Sequence, residues 1–196
     1  MRYDTEHKQR THEKVVHEAA KAIRLHGPDK VGIAGLMSKL GLTHGGFYAH
    51  FNSKDDLVAE AIAYMFEDRL EAFRKCFAGV EAAEGLASYI DLYLSIRHRD
   101  WRDRGCPVAS LASDIARMPL VARKRFEIGI QRLTDAFADV LATLEKPQPE
   151  ILAASVVAEM VGAIAIARAV TNADVSELIL DTARRNVKER VGLAIT

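Results

Sequence analysis

The stretch Ile33-Ala34-Gly35-Leu36-Met37-Ser38-Lys39-Leu40-Gly41-Leu42-Thr43-His44-Gly45-Gly46-Phe47-Tyr48-Ala49-His50-Phe51-Asn52-Ser53-Lys54 decides the reading of this chain. It predicts a short helix from Ile33 to Leu40, a tight turn at Gly41, and a second short helix from Thr43 to His50. Gly41 is free to take the left-handed backbone that such a turn needs, and Leu42 is the apolar residue that ties the turn to a core. Thr43 supplies a side-chain oxygen to the unpaired N–H groups of the second helix. Gly45 and Gly46 each cost a helix about 1 kcal/mol relative to Ala, which suits a backbone that must approach another surface closely. Two short helices about a glycine turn have the geometry of a helix-turn-helix, whose second helix enters a DNA major groove.

Upstream, Thr11 to His26 places Val15, Ala19, Ala22 and Ile23 on one helical face, and Gly27-Pro28-Asp29 stops it. Downstream, Ser53 caps a long helix reaching to about Phe77, with Asp55 and Asp56 in the first turn, where the helix dipole favours negative charge. Further helices are expected over Glu81–Arg99, Pro107–Ala116, Pro119–Leu144, Glu150–Val170 and Val175–Arg190. The Arg-rich run Arg97 to Gly105 reads as a connection, and Lys146-Pro147-Gln148-Pro149 as a break. The chain is therefore expected to be all-α with about nine helices: a head over residues 1–53 and a helical body over 54–196.

Charge divides along the same line. Residues 1–54 hold nine Lys and Arg against five Asp and Glu, with six of the seven histidines, leaving 18 against 22 for the rest of a chain of net charge zero. A basic end on an acidic body fits a polyanion-binding head. The basic N-terminal residues Arg2, Lys8, Arg10 and Lys14 read as a solvated tail that can add phosphate contacts. Two cysteines without paired spacing indicate neither a disulfide framework nor a zinc site, and no metal or cofactor is implied. The charged start MRYDTEHKQR is not a signal peptide. Ile151–Val170 is near membrane-spanning length, but Glu159, Arg168 and the lack of interfacial aromatics make it a buried helix. A cytoplasmic protein without a membrane partner is expected.

The string G-L-T-x-G-x-F-Y-x-H-F-x-S-K-x-x-L, Gly41 through Leu57, resembles the DNA-binding signature of TetR-type (TetR/AcrR) transcriptional regulators, over roughly residues 10–60. The resemblance implies that Thr43, Tyr48, His50 and Lys54 contact phosphates, while His44, Gly45 and Gly46 meet base edges, with His44 the main direct reader. Phe47 and Phe51 are core. It further implies a homodimer on a palindromic operator, released by a small-molecule inducer through a population shift.

For the dimer interface, Ala153, Val157, Met160, Ile164 and Ala167 form an apolar stripe on a late helix. Tyr64, Phe73, Tyr89, Tyr93, Trp101 and Phe126 offer aromatic surface for an apolar inducer. Cys106, in Arg104-Gly105-Cys106-Pro107, is either a thiol that senses electrophiles or a small packing residue. Phosphate loops, HExxH and nucleophile elbows are missing, so an enzyme is the weaker alternative; a helix-turn-helix binder or activator that senses nothing is the other.

Overall fold

The computed structural model describes residues 2–194, with side chains from residue 6 onward. Among the described residues the fold is all-helical. The elements are α1 (Arg2–His26), α2 (Ile33–Lys39), a 3-10 turn (Gly45–Ala49), α3 (Lys54–Cys76), α4 (Ala82–Tyr93), α5 (Ile96–Asp100), α6 (Pro107–Ile115), α7 (Leu120–Thr143), α8 (Pro149–Ala169) and α9 (Ala173–Arg190).

Three elements depart from the sequence expectation. Helix α1 starts nine residues earlier than Thr11, so the charged N-terminal run is helical instead of a tail. No Gly or Pro interrupts it, and spaced pairs support it: Glu6–Arg10 at 3.6 Å and Gln9–Glu13 at 2.9 Å. Lys8, Arg10 and Lys14 are exposed on this helix, whereas the side chain of Arg2 lies outside the described residues. The second difference is a break inside Glu81–Arg99. Ser95 ends one helix by donating to the Leu92 carbonyl at 2.8 Å and opens the next by accepting from His98 N–H at 3.0 Å. The run read as connection thus begins as α5. The third is the recognition segment, a 3-10 turn of five residues in place of an α-helix from Thr43 to His50, as its two leading glycines and shortness favour.

Helix α3 organises the molecule. Its N-terminal half packs on α1, where Leu57, Ala61 and Ile62 meet Val15, Ala19 and Ile23 in one continuous core. Its C-terminal half crosses α7 and α4, with Phe73 against Phe137 and Tyr89 at 4.9 and 4.8 Å between ring centroids. The α3–α7 crossing is close because α7 carries Gly129 there; a Cβ would stand 2.1 Å from the Phe66 ring. Helix α8 packs against α6, α7 and α9, and Lys188 of α9, almost wholly buried, pairs with Asp91 of α4 at 2.7 Å. Helix α8 is also the one described helix long and apolar enough to cross a membrane, but here it serves as a bundle member.

Candidate nucleic-acid interface

Helix α2 ends in a Schellman motif: Gly41 sits at φ 69°, its N–H donates to Ser38 O at 3.0 Å, and Leu42 N–H donates to Met37 O at 2.9 Å. This closure turns the chain sharply into the recognition segment. Thr43 Oγ1 accepts the Gly46 N–H at 3.2 Å, the capping role its hydroxyl suits. Phe47 and Phe51 are buried and stacked at 5.2 Å, so the recognition turn is nailed to the core by its inner face.

The outer face is left open. Thr43, His44, Gly45 and Tyr48 are exposed, and a Cβ on Gly45 would meet nothing within 4 Å. Tyr48 is 61 % exposed, although its ring is large and apolar, and His44 lies edge-on to it at 6.0 Å. Gly46 faces partly inward, its missing Cβ 3.3 Å from Thr43 Oγ1, so it makes room for the cap. The two glycines therefore have different reasons: one opens the surface, the other the turn.

His50 is partly buried, with Nδ1 unpaired; burial first, then the charges of His12 and Lys8, hold its pKa below the ordinary histidine value. It is a neutral imidazole at neutral pH, able to donate to a phosphate from one nitrogen. Lys54 is half-buried and donates to the Asp29 carbonyl at 3.1 Å, latching the start of α3 to the α1–α2 loop. Two of its three protons stay available for a phosphate beside this latch. Sequence reasoning missed the latch, and it missed His12, which donates to Glu60 at 2.7 Å and stacks on Phe51 at 4.5 Å. Both are contacts across elements, without a local pattern to announce them. At the base of α3, Ser53 accepts Asp56 N–H at 3.1 Å, while Asp56 accepts Asn52 N–H at 3.2 Å. The expected DNA-facing residues thus come together on one end of the molecule, around one rigid turn.

The expected inducer residues do not form one site. Tyr89 and Tyr93 line a small space of about 10 Å³ among the buried side chains of Leu133, Phe137, Val157 and Met160. Both hydroxyls are buried without a partner, and burial raises both phenols above their ordinary value. Cys106 is buried next to Tyr93 at the start of α6. Tyr64 instead lines a groove between α1 and α3; Trp101 stacks under Arg97 at 4.1 Å in the following loop; Phe126 packs on Phe66 at 5.4 Å. Arg102 and Arg104, the cations near Cys106 in the sequence, are exposed.

His98 explains how Cys106 is held. Its Nε2 accepts the Cys106 N–H at 3.1 Å, so Nδ1 carries the proton and donates to Tyr93 O at 2.7 Å. Burial drives its pKa down to about 3, so it is a neutral bracket between α4 and α6.

The stripe expected at the dimer interface is not at the surface. Ala153, Val157, Met160, Ile164 and Ala167 are buried in the chain's own core, and Val157 and Met160 face Tyr89 and Tyr93. Helix α8 is apolar almost all round, so its periodicity does not tell which face turns inward. The open face carries Ile151, Ser155, Ala158 and Ile166, and α9 exposes Val175 and Leu178.

Comparison with known proteins agrees with this geometry. Residues 15–61 match the model of "Bacterial regulatory proteins, tetR family". Among curated proteins there is no sequence match. Solved structures share the fold over nearly the whole chain. A TetR-family transcriptional regulator from Agrobacterium tumefaciens superposes with TM-score 0.79 at 21 % identity, covering 93 % of this chain and 98 % of its own. One from Chloroflexus aurantiacus gives 0.76 at 25 % identity, with 96 % and 98 % covered. The reduced form of NemR from E. coli gives 0.81 at 16 % identity, with 91 % and 95 % covered. Over residues 15–61 the chain thus matches the TetR-family DNA-binding region, and over nearly its whole length it shares the fold of TetR-family regulators.

Proposed function

We propose that the chain is a cytoplasmic, homodimeric transcriptional repressor that leaves a palindromic operator when a small molecule occupies its body. The observation that carries this reading is the recognition turn, whose inner aromatics are buried while His44, Gly45 and Tyr48 stand free. Buried Phe47 and Phe51 fix the register of that ridge, so the exposed groups reach a groove without reorganising. His44 reads a base edge, the bare Gly45 backbone lets the turn sit deep, and Thr43, Tyr48, His50 and Lys54 grip phosphates on either side.

Pairing through the open face of α8 and α9 sets two such heads on one side of a duplex. Ile151, Ile166 and Leu178, each more than half exposed, give that face the apolar character of a subunit contact. An inducer enters between Tyr89 and Tyr93. Two buried phenols without acceptors each cost the folded chain about 1–3 kcal/mol, which a ligand with an apolar body and a polar acceptor recovers. The space there is only about 10 Å³, so binding requires α4, α7 and α8 to part, and that movement is the signal passed to the heads. Cys106, buried beside Tyr93, acts as a packing residue.

Selection from random duplexes by the purified protein tests the reading. The expected outcome is an inverted repeat whose half-sites are about one helical turn apart. His44→Ala should cost about 1–3 kcal/mol on that repeat and relax preference at one base per half-site. Enrichment of no sequence over the starting pool would overturn the function.

A further inference from the structure

The junction between head and body forms an open cleft of about 350 Å³ whose walls carry Arg24, Arg102 and Arg168. Arg24 comes from the last turn of α1, Arg168 from the end of α8, and Arg102 from the loop after α5. The single acidic side chain on its wall, Asp114 of α6, is already paired with Arg117 at 2.9 Å. Arg24 is the unusual member. Its side chain is 2 % exposed, it meets Asp68 at 3.2 Å on one side, and its Nε–H has no partner. Arg168 donates to the carbonyls of Arg99 and His98 at 3.0 Å each and to Ser110 Oγ at 3.2 Å, which orients its guanidinium without neutralising it. Gly105 makes that placement possible, since a Cβ there would stand 2.3 Å from Arg168 Nη2. The Arg102 side chain has no hydrogen bond or ion pair among the described residues.

Asp68 is the one carboxylate paired with these two guanidiniums, buried Arg24 and part-buried Arg168, and desolvation of the charge left over is not offset by Coulomb attraction. The cost shows in the charges themselves: burial lowers the pKa of both Arg24 and Arg168, and Arg102 adds to the effect on Arg168. Such a cleft is completed by a compact oxyanion. Planar, fork-shaped donors match carboxylate or phosphate oxygens in pairs, and the volume falls at the small end of metabolite pockets.

We propose that this junction is an oxyanion-binding site for a small carboxylate- or phosphate-bearing metabolite, separate from the Tyr89–Tyr93 space, and that its occupant sets the angle between head and body. Arg24 belongs to the helix that backs the helix-turn-helix, while Arg168 and Ser110 belong to the body. An anion bridging them ties α1 to α6 and α8. The binding step stands by itself; its effect on DNA rests on the function proposed above.

The test uses the full chain and two probes, inorganic phosphate and succinate, each to about 10 mM at an ionic strength held near 0.15 M with chloride. Calorimetry should show saturable binding of one probe at one site per chain. Preference for phosphate or for succinate identifies the source chemistry. Arg102→Gln, which removes an unpartnered surface charge, should weaken binding about tenfold while leaving the melting temperature of the unliganded protein unchanged. Ala169→Glu, which places a carboxylate on the cleft wall, should abolish binding and raise the melting temperature. The saturating probe should also change wild-type operator affinity about threefold or more, and that of Arg102→Gln far less. No saturable binding of either probe, or equal binding by Arg102→Gln, overturns the site. Binding that leaves operator affinity unchanged overturns the coupling. Failure to find any operator sinks the repressor reading and leaves the calorimetric result standing.

Discussion

His98 is a single side chain whose chemistry follows entirely from its two partners. It accepts from one backbone and donates to another, so protonation breaks the Cys106 contact and strands a charge in the core. The unfolded chain takes that proton as pH falls through about 6.5, while the folded chain resists to about 3. Between those values the unfolded state binds more protons, so stability drops as the solution is acidified. Denaturant titrations at pH 6.5 and 5 should differ by about 2 kcal/mol on this account, with a shallower dependence in His98→Gln. The tyrosines make the opposite prediction. Tyr89→Phe and Tyr93→Phe remove hydroxyls that have no partner, so each should raise stability by about 1 kcal/mol in urea melts while weakening any inducer response. None of this was legible in the sequence. Gly41, Thr43, Phe47 and Ser53 were, because their work is done within four residues of themselves. His98 reaches Tyr93 and Cys106 across a helix end and a loop, while Tyr89 and Arg24 meet partners tens of residues away, and a lone histidine, tyrosine or arginine on a helical pattern carries no sign of them.

Among the elements, the long helices were legible through their periodicity and their caps, and the departures have local causes. Ser95 is a good N-cap inside a run apolar enough to read as continuous, so the break between α4 and α5 was overlooked. Helix α8 was placed correctly along the chain, yet its inward face could not be chosen, since nearly every face is apolar. The α3–α7 crossing shows what pattern cannot supply: Gly129 looks like a mere helix weakener until Phe66 is seen lying over it. Gly129→Ala gains helix propensity worth about 1 kcal/mol but drives a methyl into that ring. We expect a net loss of about 1–3 kcal/mol, read as a lower urea midpoint with unchanged helical circular dichroism at rest. A gain in stability would mean that the two helices separate easily, and would remove the grounds for treating them as the rigid frame of the body.

At the scale of the molecule, the head, the junction and the open face of α8 lie along one chain, and α3 packs on elements of both head and body. Leu178→Asp puts a carboxylate on the open face of α9 without touching the core. Sedimentation should then show a monomer, and operator affinity should fall by about tenfold or more, because one head alone must hold the site. The recognition turn makes that dependence quantitative. Its five residues expose few groups capable of telling bases apart, so one head distinguishes only a handful of letters. Finding one address among the roughly million or more sites of a genome takes about 20 bits. A three-letter reading yields about 6 bits at two per letter, four bases being distinguishable in the major groove. Even doubled, that falls short, so the remaining discrimination must come from the spacing between halves and the bendability of the DNA separating them. An alphabet this small makes the distance between two short words part of the message.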